Sequence, residues 1–459
     1  MTQLDTENLS AVMQAAAAHL WMHASEWQAL TTRSDRRLLV SGHGCTVRDA
    51  DGRTYLDALS GLWLVNVGHG REAIADAMAQ QAKTLAYASA SRAVTLPAVQ
   101  LATLLAQLAP GDLSTVLFSS GGSEAVESAL KIARQFHVLR GEPERYKVIS
   151  RRGSYHGATY GAMSVGGAPA GVDPYFSPTV PGALRVSAPY CYRCDYRKVY
   201  PACDVYCVEA IEDVIQFEQP RSVAAVIAEP ISAACGIVVP PPDYLPRLRE
   251  ICDRHGVLLI FDEIITGFGR TGKMFAADHW QVVPDIMTVA KGLSSGYAPI
   301  AATICRQAIA QQFSSAQQKP LAHLLTFGGQ AVACAAALAN LHIIQQERLV
   351  ENAARQGQVL LDRLRELAGR HPIIGDVRGL GLLCAVELVA NRETKEAFRA
   401  DGPEIARLLD ILAELGVLTR AEPALFLAPP LCIQREEVDR LVTIVDTALA
   451  RFAREFSYL

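Results

Sequence analysis

From about residue 76 onward, short apolar runs alternate with amphipathic stretches. The runs are TVLFSS (115–120), YKVIS (146–150), ALRVSA (183–188), VAAVIAEP (223–230), VLLIFDEI (257–264), IMTVAKGL (286–293) and IAATICR (300–306). Their apolar character is largely continuous rather than alternating, which marks strands covered on both faces. Helical stretches between them predict an α/β fold, a mainly parallel seven-stranded sheet between helical layers. Upstream, a helical lead-in gives way to TVRDADGRTYLDAL, where Asp51-Gly52 predicts a turn between two paired strands. Downstream of about residue 341 come an amphipathic helix, short strands in IGDVRGLGLLCAVEL, another helix, the β runs VLTR and LFLAPPL, and a last helix. The expected organisation is a large domain over 76–340, a small α+β domain over 341–459, and an N-terminal helical and β segment over 1–75 that joins the small domain.

Composition narrows the class. The chain has 459 residues, 50% of them apolar and 20% charged, enough to bury a large core, so wholesale disorder is excluded. Lys and Arg number 43 against 47 Asp and Glu, a net charge of −4, so no bulk attraction to nucleic acid or anionic lipid is expected. Eleven cysteines, an odd count in a long chain, argue against a disulfide framework. The opening MTQLDTENLSAVMQAAAAHLW lacks a basic segment followed by a long apolar block, so no leader is read. The most apolar stretches are interrupted by Glu229, or by Gln330 and Asn340, so no membrane span is expected. The expected setting is cytoplasmic and reducing.

In parallel α/β sheets the ligand sits beyond the carboxyl ends of the strands. Polar residues fall at those ends: Ser119 and Ser120, Glu229, Asp262 and Lys291. In FSSGGSEAVESALK a strand runs through Ser120, Gly121, Gly122 and Ser123 into a helix. Such a corner offers free N–H groups to a phosphate, with Ser123 as a cap, although it also occurs as plain strand–turn–helix geometry. Tyr155 and His156 in SYHGAT offer aromatic faces to a planar ligand, or belong to a surface loop. Asp262 ends a buried strand and needs a partner: a protonated ring nitrogen, a magnesium ion, or an ion pair such as Arg270. Lys291 is either a strand-end lysine reaching for water or an amine in a dry pocket, where its pKa falls and it becomes a nucleophile for a carbonyl. A phosphate cup, an aromatic plate, a buried acid and a strand-end lysine together match the needs of pyridoxal phosphate.

With these motifs, and with LSGLWLVNVGHG (59–70), AEP (228–230), IFDEIITGFGRTG (260–272), LTFGGQAVACAAALA (325–339) and LTRAEPALFLAPPL (418–431), the chain resembles the class III aminotransferases of fold type I from about Leu56 to the last helix. The resemblance implies that Lys291 carries the cofactor and moves the proton between substrate Cα and cofactor C4′. It implies that Asp262 keeps the ring nitrogen protonated and that Glu229 orients Asp262. Tyr155 and Ile264 would sandwich the ring, with His156 nearby and Ser120, Gly121, Gly122 and Ser123 around the phosphate. Thr326 matches a threonine that reaches the phosphate from a second subunit, so a homodimer with shared active sites is implied and a tetramer is left open. Trp63 and Arg420, with Tyr155, would choose the substrate, Arg420 by pairing with a carboxylate or swinging away. Pocket width would depend on loops around Trp63, Tyr87 and residues 165–176.

The implied reaction is ping-pong transfer of an amino group from an ω-amino acid or primary amine to a keto acid. Relatives that use 2-oxoglutarate often carry an acid just after AEP; here that segment is ISAACG (231–236), which favours pyruvate as acceptor. Rival readings are a 2-oxoglutarate-dependent 4-aminobutyrate or diamine aminotransferase, an aminomutase, racemase or decarboxylase of the same fold, and a non-catalytic homologue. Gly328-Gly329-Gln330-Ala331 replaces the family's usual Ser-Gly-His-Pro, so the next helix is expected to start differently. Cys191, Cys194, Cys203 and Cys207 have the spacing C-x2-C-x8-C-x3-C, open to a structural zinc, free thiols or a labile disulfide. No metal is assigned to the chemistry.

Overall fold

The computed structural model describes residues 8–27, 37–167, 174–314, 320–422 and 424–458. Within the loop at 165–176, residues 168–173 lie outside the described residues. Helix α1 (Leu9–His19) is capped by Asn8 and buries none of its side chains. Strands β1 (Leu39–His43), β2 (Thr46–Asp49) and β3 (Thr54–Asp57) form an antiparallel meander, with the expected turn between β2 and β3. Helices α2 (Glu72–Thr84) and α3 (Leu96–Leu108) then lead to the large sheet.

That sheet is built by β4 (Leu113–Ser119), helix α4 (Gly122–Leu139), β5 (Lys147–Arg151), β6 (Ala183–Val186), helix α5 (Tyr206–Phe217), β7 (Val223–Ala228), helix α6 (Tyr244–His255), β8 (Leu258–Asp262), β9 (Ile286–Val289) and β10 (Ala301–Arg306). All seven expected runs are strands, in the order β4-β10-β9-β8-β7-β5-β6. Strand β10 runs antiparallel to both β4 and β9. The segment between β9 and β10 is too short for a helical crossover, so the chain turns straight back.

The continuous apolar runs have a direct cause. Along β7 and β8, Ala225, Ile227, Leu258 and Ile260 pack under α4 with Val126, Ala129 and Ile132. Their neighbours Val226, Ala228, Leu259 and Phe261 point the other way, against Ile211 and Ile215 of α5 and Leu248 and Ile251 of α6. Every residue of β7, β8 and β9 is buried.

Helices α7 (Ala331–Gln346) and α8 (Leu349–Arg370) are followed by β11 (Ile374–Gly379), β12 (Cys384–Asn391), β13 (Glu396–Ala397), helix α9 (Pro403–Glu414), β14 (Val417–Leu418), β15 (Leu425–Leu427) and helix α10 (Arg435–Glu455). Strand β14 pairs in parallel with β3, so the two ends of the chain share one sheet. Gln330 caps α7, its side-chain oxygen accepting from Ala333 N–H at 2.7 Å. The segment from Tyr190 to Cys207 docks on β12, where Glu387 accepts from Tyr190 Oη at 2.6 Å and Arg193 Nε at 2.8 Å. Cys191, Cys194, Cys203 and Cys207 surround a cavity of about 20 Å³ as free thiols. Among the described residues no group of three or more His, Cys, Asp or Glu is arranged to hold a metal ion, and no helix is long and apolar enough to cross a membrane.

Candidate active site

The carboxyl ends of β4, β7, β8 and β9 lie on one edge of the sheet, and the reversed β10 begins there. At this edge a cavity of about 400 Å³ is lined by Ser120, Gly122, Ser123, Tyr155, His156, Glu229, Asp262, Ile264 and Lys291. The topology thus brings together residues that are up to 171 positions apart in the chain.

The N-terminus of α4 forms one wall. Gly121 is its N-cap, without a side-chain cap. Glu124 folds back to accept from the Ser120 N–H at 2.8 Å and Oγ at 2.7 Å. Ser123 does not cap the helix as expected; its Oγ accepts from Ala158 N–H at 3.0 Å and ties the Tyr155–His156 corner to α4. The first-turn N–H groups have no partner within the helix, and the helix dipole makes this end positive. A Cβ at Gly122 would lie 2.9 Å from Ile264 Cδ1, so a larger residue there would push the Ile264 side chain aside.

Asp262 and Lys291 form the opposite pole. Asp262 is 3% exposed; its Oδ2 lies 2.8 Å from His156 Nδ1 and its Oδ1 accepts from Ile264 N–H at 3.1 Å. Glu229, expected to orient Asp262, makes no direct contact with it. Its Oε2 pairs with Arg151 at 3.0 Å, and its Oε1 accepts from Tyr155 N–H at 3.4 Å. His156 stands between the two carboxylates: its Nε2 is buried without a hydrogen bond, 4.0 Å from Glu229 Oε2. The reason is spatial, since His156 occupies the gap that a direct contact would need.

Lys291 has a backbone φ of +45°, a left-handed conformation that lysine rarely adopts. Three hydrogen bonds hold it there. Ser295 N–H donates to Lys291 O at 3.0 Å, and Asn340 on α7 donates from Nδ2 to Gly292 O at 2.8 Å and Leu293 O at 2.9 Å. Burial pushes the amine down to about 8, against the opposing pull of Asp262.

Other expected site residues lie apart from the cavity. Trp63 is 6% exposed and does not line it. Its ring packs edge-on against Phe426 and its centre lies 5.8 Å from Lys291 Nζ, while its neighbours Leu62 and Leu64 form the wall. Thr326 is exposed, on a loop where its carbonyl accepts from Tyr87 Oη at 3.0 Å. Arg420 is exposed and paired with Glu422 two residues along. Arg270 does not pair with Asp262. It is fully buried, with hydrogen bonds to Leu382 O, Pro429 O, Ser60 Oγ and Asn66 Oδ1. Arg151 and Asn340 were not singled out as site residues. The one signal for each was a polar residue ending or breaking an apolar run.

An aminotransferase class-III family profile matches residues 30–449. The chain belongs to the class III aminotransferases. It is 39% identical to a taurine–pyruvate aminotransferase of Rhodobacter capsulatus over 97% of this chain and 98% of that one. It superposes with a TM-score of 0.92 on an (S)-enantioselective omega-transaminase from Thermomicrobium roseum, 39% identical over 97% of this chain and 99% of that one. An amine transaminase from an uncultivated Pseudomonas species, solved in its pyridoxal-phosphate-bound form, superposes with a TM-score of 0.89 at 37% identity, over 94% of this chain and 98% of that one. This aminotransferase therefore has the fold type I architecture that its resemblance implies, built on the mainly parallel sheet that its strand pattern predicts.

Proposed function

We propose that this aminotransferase holds pyridoxal phosphate in the cavity and transfers the amino group of an ω-amino acid or primary amine to pyruvate in two half-reactions. The observation that carries the reading is the buried Lys291 amine facing Asp262 in a cavity headed by the N-terminus of α4. The donor set fits the cofactor. First-turn N–H groups of α4 would hold the phosphate, Asp262 a proton on the ring nitrogen, and Tyr155 and Ile264 the two ring faces. When bound, the cofactor supplies a carbonyl that condenses with amines and a charged ring that draws electron density from substrate Cα.

The remaining work falls to side chains. An ordinary lysine amine is almost wholly charged at neutral pH, whereas one near 8 leaves about a tenth neutral at pH 7, free to attack or to accept a proton. Lys291 is then the group that takes the proton from substrate Cα and returns it. His156 and the Ile264 N–H hold the Asp262 carboxylate in place where the ring nitrogen would meet it. Leu62, Leu64, Ile231, Ile265 and Ile300 limit water around the reacting atoms.

Pyruvate is favoured over 2-oxoglutarate by charge: among the described residues lining the cavity, Lys291 is the one Lys or Arg. A dicarboxylate would bring a second charge with no cation to meet it. Arg420 would receive a single substrate carboxylate after leaving Glu422. The R. capsulatus relative, named for taurine and pyruvate, points the same way. A homodimer is supported by the apolar surface near Thr326, where Val94 is 81%, Leu96 70%, Leu324 70% and Phe327 60% exposed. A second copy covering it would bring the partner's loop toward the cavity.

The test is a half-reaction panel. Yellow enzyme is mixed separately with taurine, β-alanine, a diamine, an aryl-alkyl amine and alanine, with no keto acid present. A true donor bleaches the visible band, pyruvate restores it, and initial-rate lines are parallel. Intersecting lines, or turnover that needs no keto acid, would refute the reading and favour a mutase, racemase or decarboxylase.

A further inference from the structure

We propose that Cys45 and Cys432 are the protein's selective site of thiol oxidation, closing to a reversible disulfide under hydroperoxide. The two residues are 387 positions apart, yet their sulfurs lie 3.7 Å apart. Among the described residues no other two cysteine sulfurs are in hydrogen-bond contact. A disulfide requires about 2.05 Å, so the sulfurs must approach by about 1.7 Å.

The surroundings are built for this contact. Cys45 lies buried between β1 and β2, and its carbonyl accepts from Asp57 N–H at 2.8 Å. Cys432 lies partly exposed just ahead of α10, where an oxidant can reach it. Gly68 has φ +89°, and a Cβ there would lie 2.8 Å from the Cys432 sulfur, so glycine is what leaves room for it. The Cys45 thiol hydrogen bond and the charge of Arg71 lower the Cys432 pKa, against opposition from burial and Glu437, and so favour its thiolate.

The chemistry balances with hydrogen peroxide as oxidant. The Cys432 thiolate attacks one peroxide oxygen, the O–O bond breaks, and the other oxygen leaves as hydroxide and is protonated to water. Cys432 is now a sulfenic acid. The Cys45 sulfur, giving up its proton, attacks it; the S–S bond forms, the S–O bond breaks and a second water leaves. Two thiols lose two electrons and two protons, and the peroxide is reduced to two waters.

The bond would clasp the N-terminal sheet to the start of α10. It would also brace the segment from Asp57 to Gly70, whose Leu62 and Leu64 line the cavity. Closing so long a loop restricts the unfolded chain most strongly.

The experiment treats cofactor-loaded enzyme with hydrogen peroxide below one equivalent, blocks free thiols, and maps peptides by mass without reduction. The expected first cross-link joins the peptide holding Cys45 to that holding Cys432, two hydrogens lighter than the separate peptides. Dithiothreitol should reverse it and the accompanying rise in unfolding temperature. Cys45→Ser should abolish the cross-link and leave Cys432 as sulfenic or sulfinic acid; if that variant fails to fold, Cys432→Ser at the partly exposed position should abolish it equally. Oxidation of Cys432 without a cross-link in the unsubstituted enzyme, or a first cross-link among Cys191, Cys194, Cys203 and Cys207, would overturn the proposal.

Discussion

Asn340→Leu tests how the left-handed lysine is held. Leucine keeps the shape of asparagine but removes both donors, so the carbonyls of Gly292 and Leu293 lose the Asn340 amide that meets them at 2.8 and 2.9 Å. Each buried carbonyl left unpartnered costs about 1–3 kcal/mol. The Asn340 Oδ1 already lies buried without a partner, so its removal returns about 1–2 kcal/mol. Two carbonyls lost against one oxygen relieved leave, at mid-range values, a net destabilisation of about 2 kcal/mol. The greater effect falls on function: with the loop untied, Lys291 can relax from φ +45°, a conformation that stores about 1–3 kcal/mol. Relaxation moves the amine away from Asp262, and at about 1.4 kcal/mol per decade kcat/KM should fall about tenfold or more. Urea unfolding, cofactor absorbance and steady-state kinetics on the same preparation measure both effects. A loss below about 0.5 kcal/mol together with kcat/KM within about twofold of the parent would refute the reasoning.

Three other outcomes are expected. Asp262→Asn should lower kcat by about 100-fold or more while cofactor still loads, measured by stopped-flow bleaching with a good donor, because a neutral amide cannot hold charge on the ring nitrogen. In apoprotein, Lys291 has a folded pKa of about 8 against 10.5 unfolded, so the unfolded chain binds more protons between these values; stability should rise with pH across that window, and Lys291→Met should flatten the rise in denaturant titrations. Glu422→Gln should free Arg420 and lower KM for pyruvate by roughly 1.4- to 5-fold, the worth of an exposed ion pair, while leaving donors without a carboxylate unchanged in the half-reaction.

Much of this protein was legible in its pattern of residues. Seven apolar runs became seven strands because a strand buried on both faces must be apolar at nearly every position, and that constraint is local. Ser120, Glu229, Asp262 and Lys291 could be placed at one edge because parallel strands put their carboxyl ends together. The class III motifs carried the family, and the profile match over residues 30–449 agrees. The relations between side chains were another matter. That His156 stands between Asp262 and Glu229, and that Glu229 pairs with Arg151 of a strand 78 residues away, is not readable from any short stretch. Nor is the packing of Trp63 on Phe426, behind the Leu62 and Leu64 wall of the cavity.

What the sequence by itself determined was the list of strands, their burial and the chemical groups at their ends, because these follow from neighbours in the chain. What only the tertiary structure decided was which polar groups meet: the turn-back of β10, the seat of Asn340 under the lysine loop, the pairing of Arg420 with Glu422, and the contact of Cys45 with Cys432. A buried donor takes whichever acceptor the packing leaves within about 3 Å, and that choice is settled by the fold of the whole chain rather than by any short stretch of it.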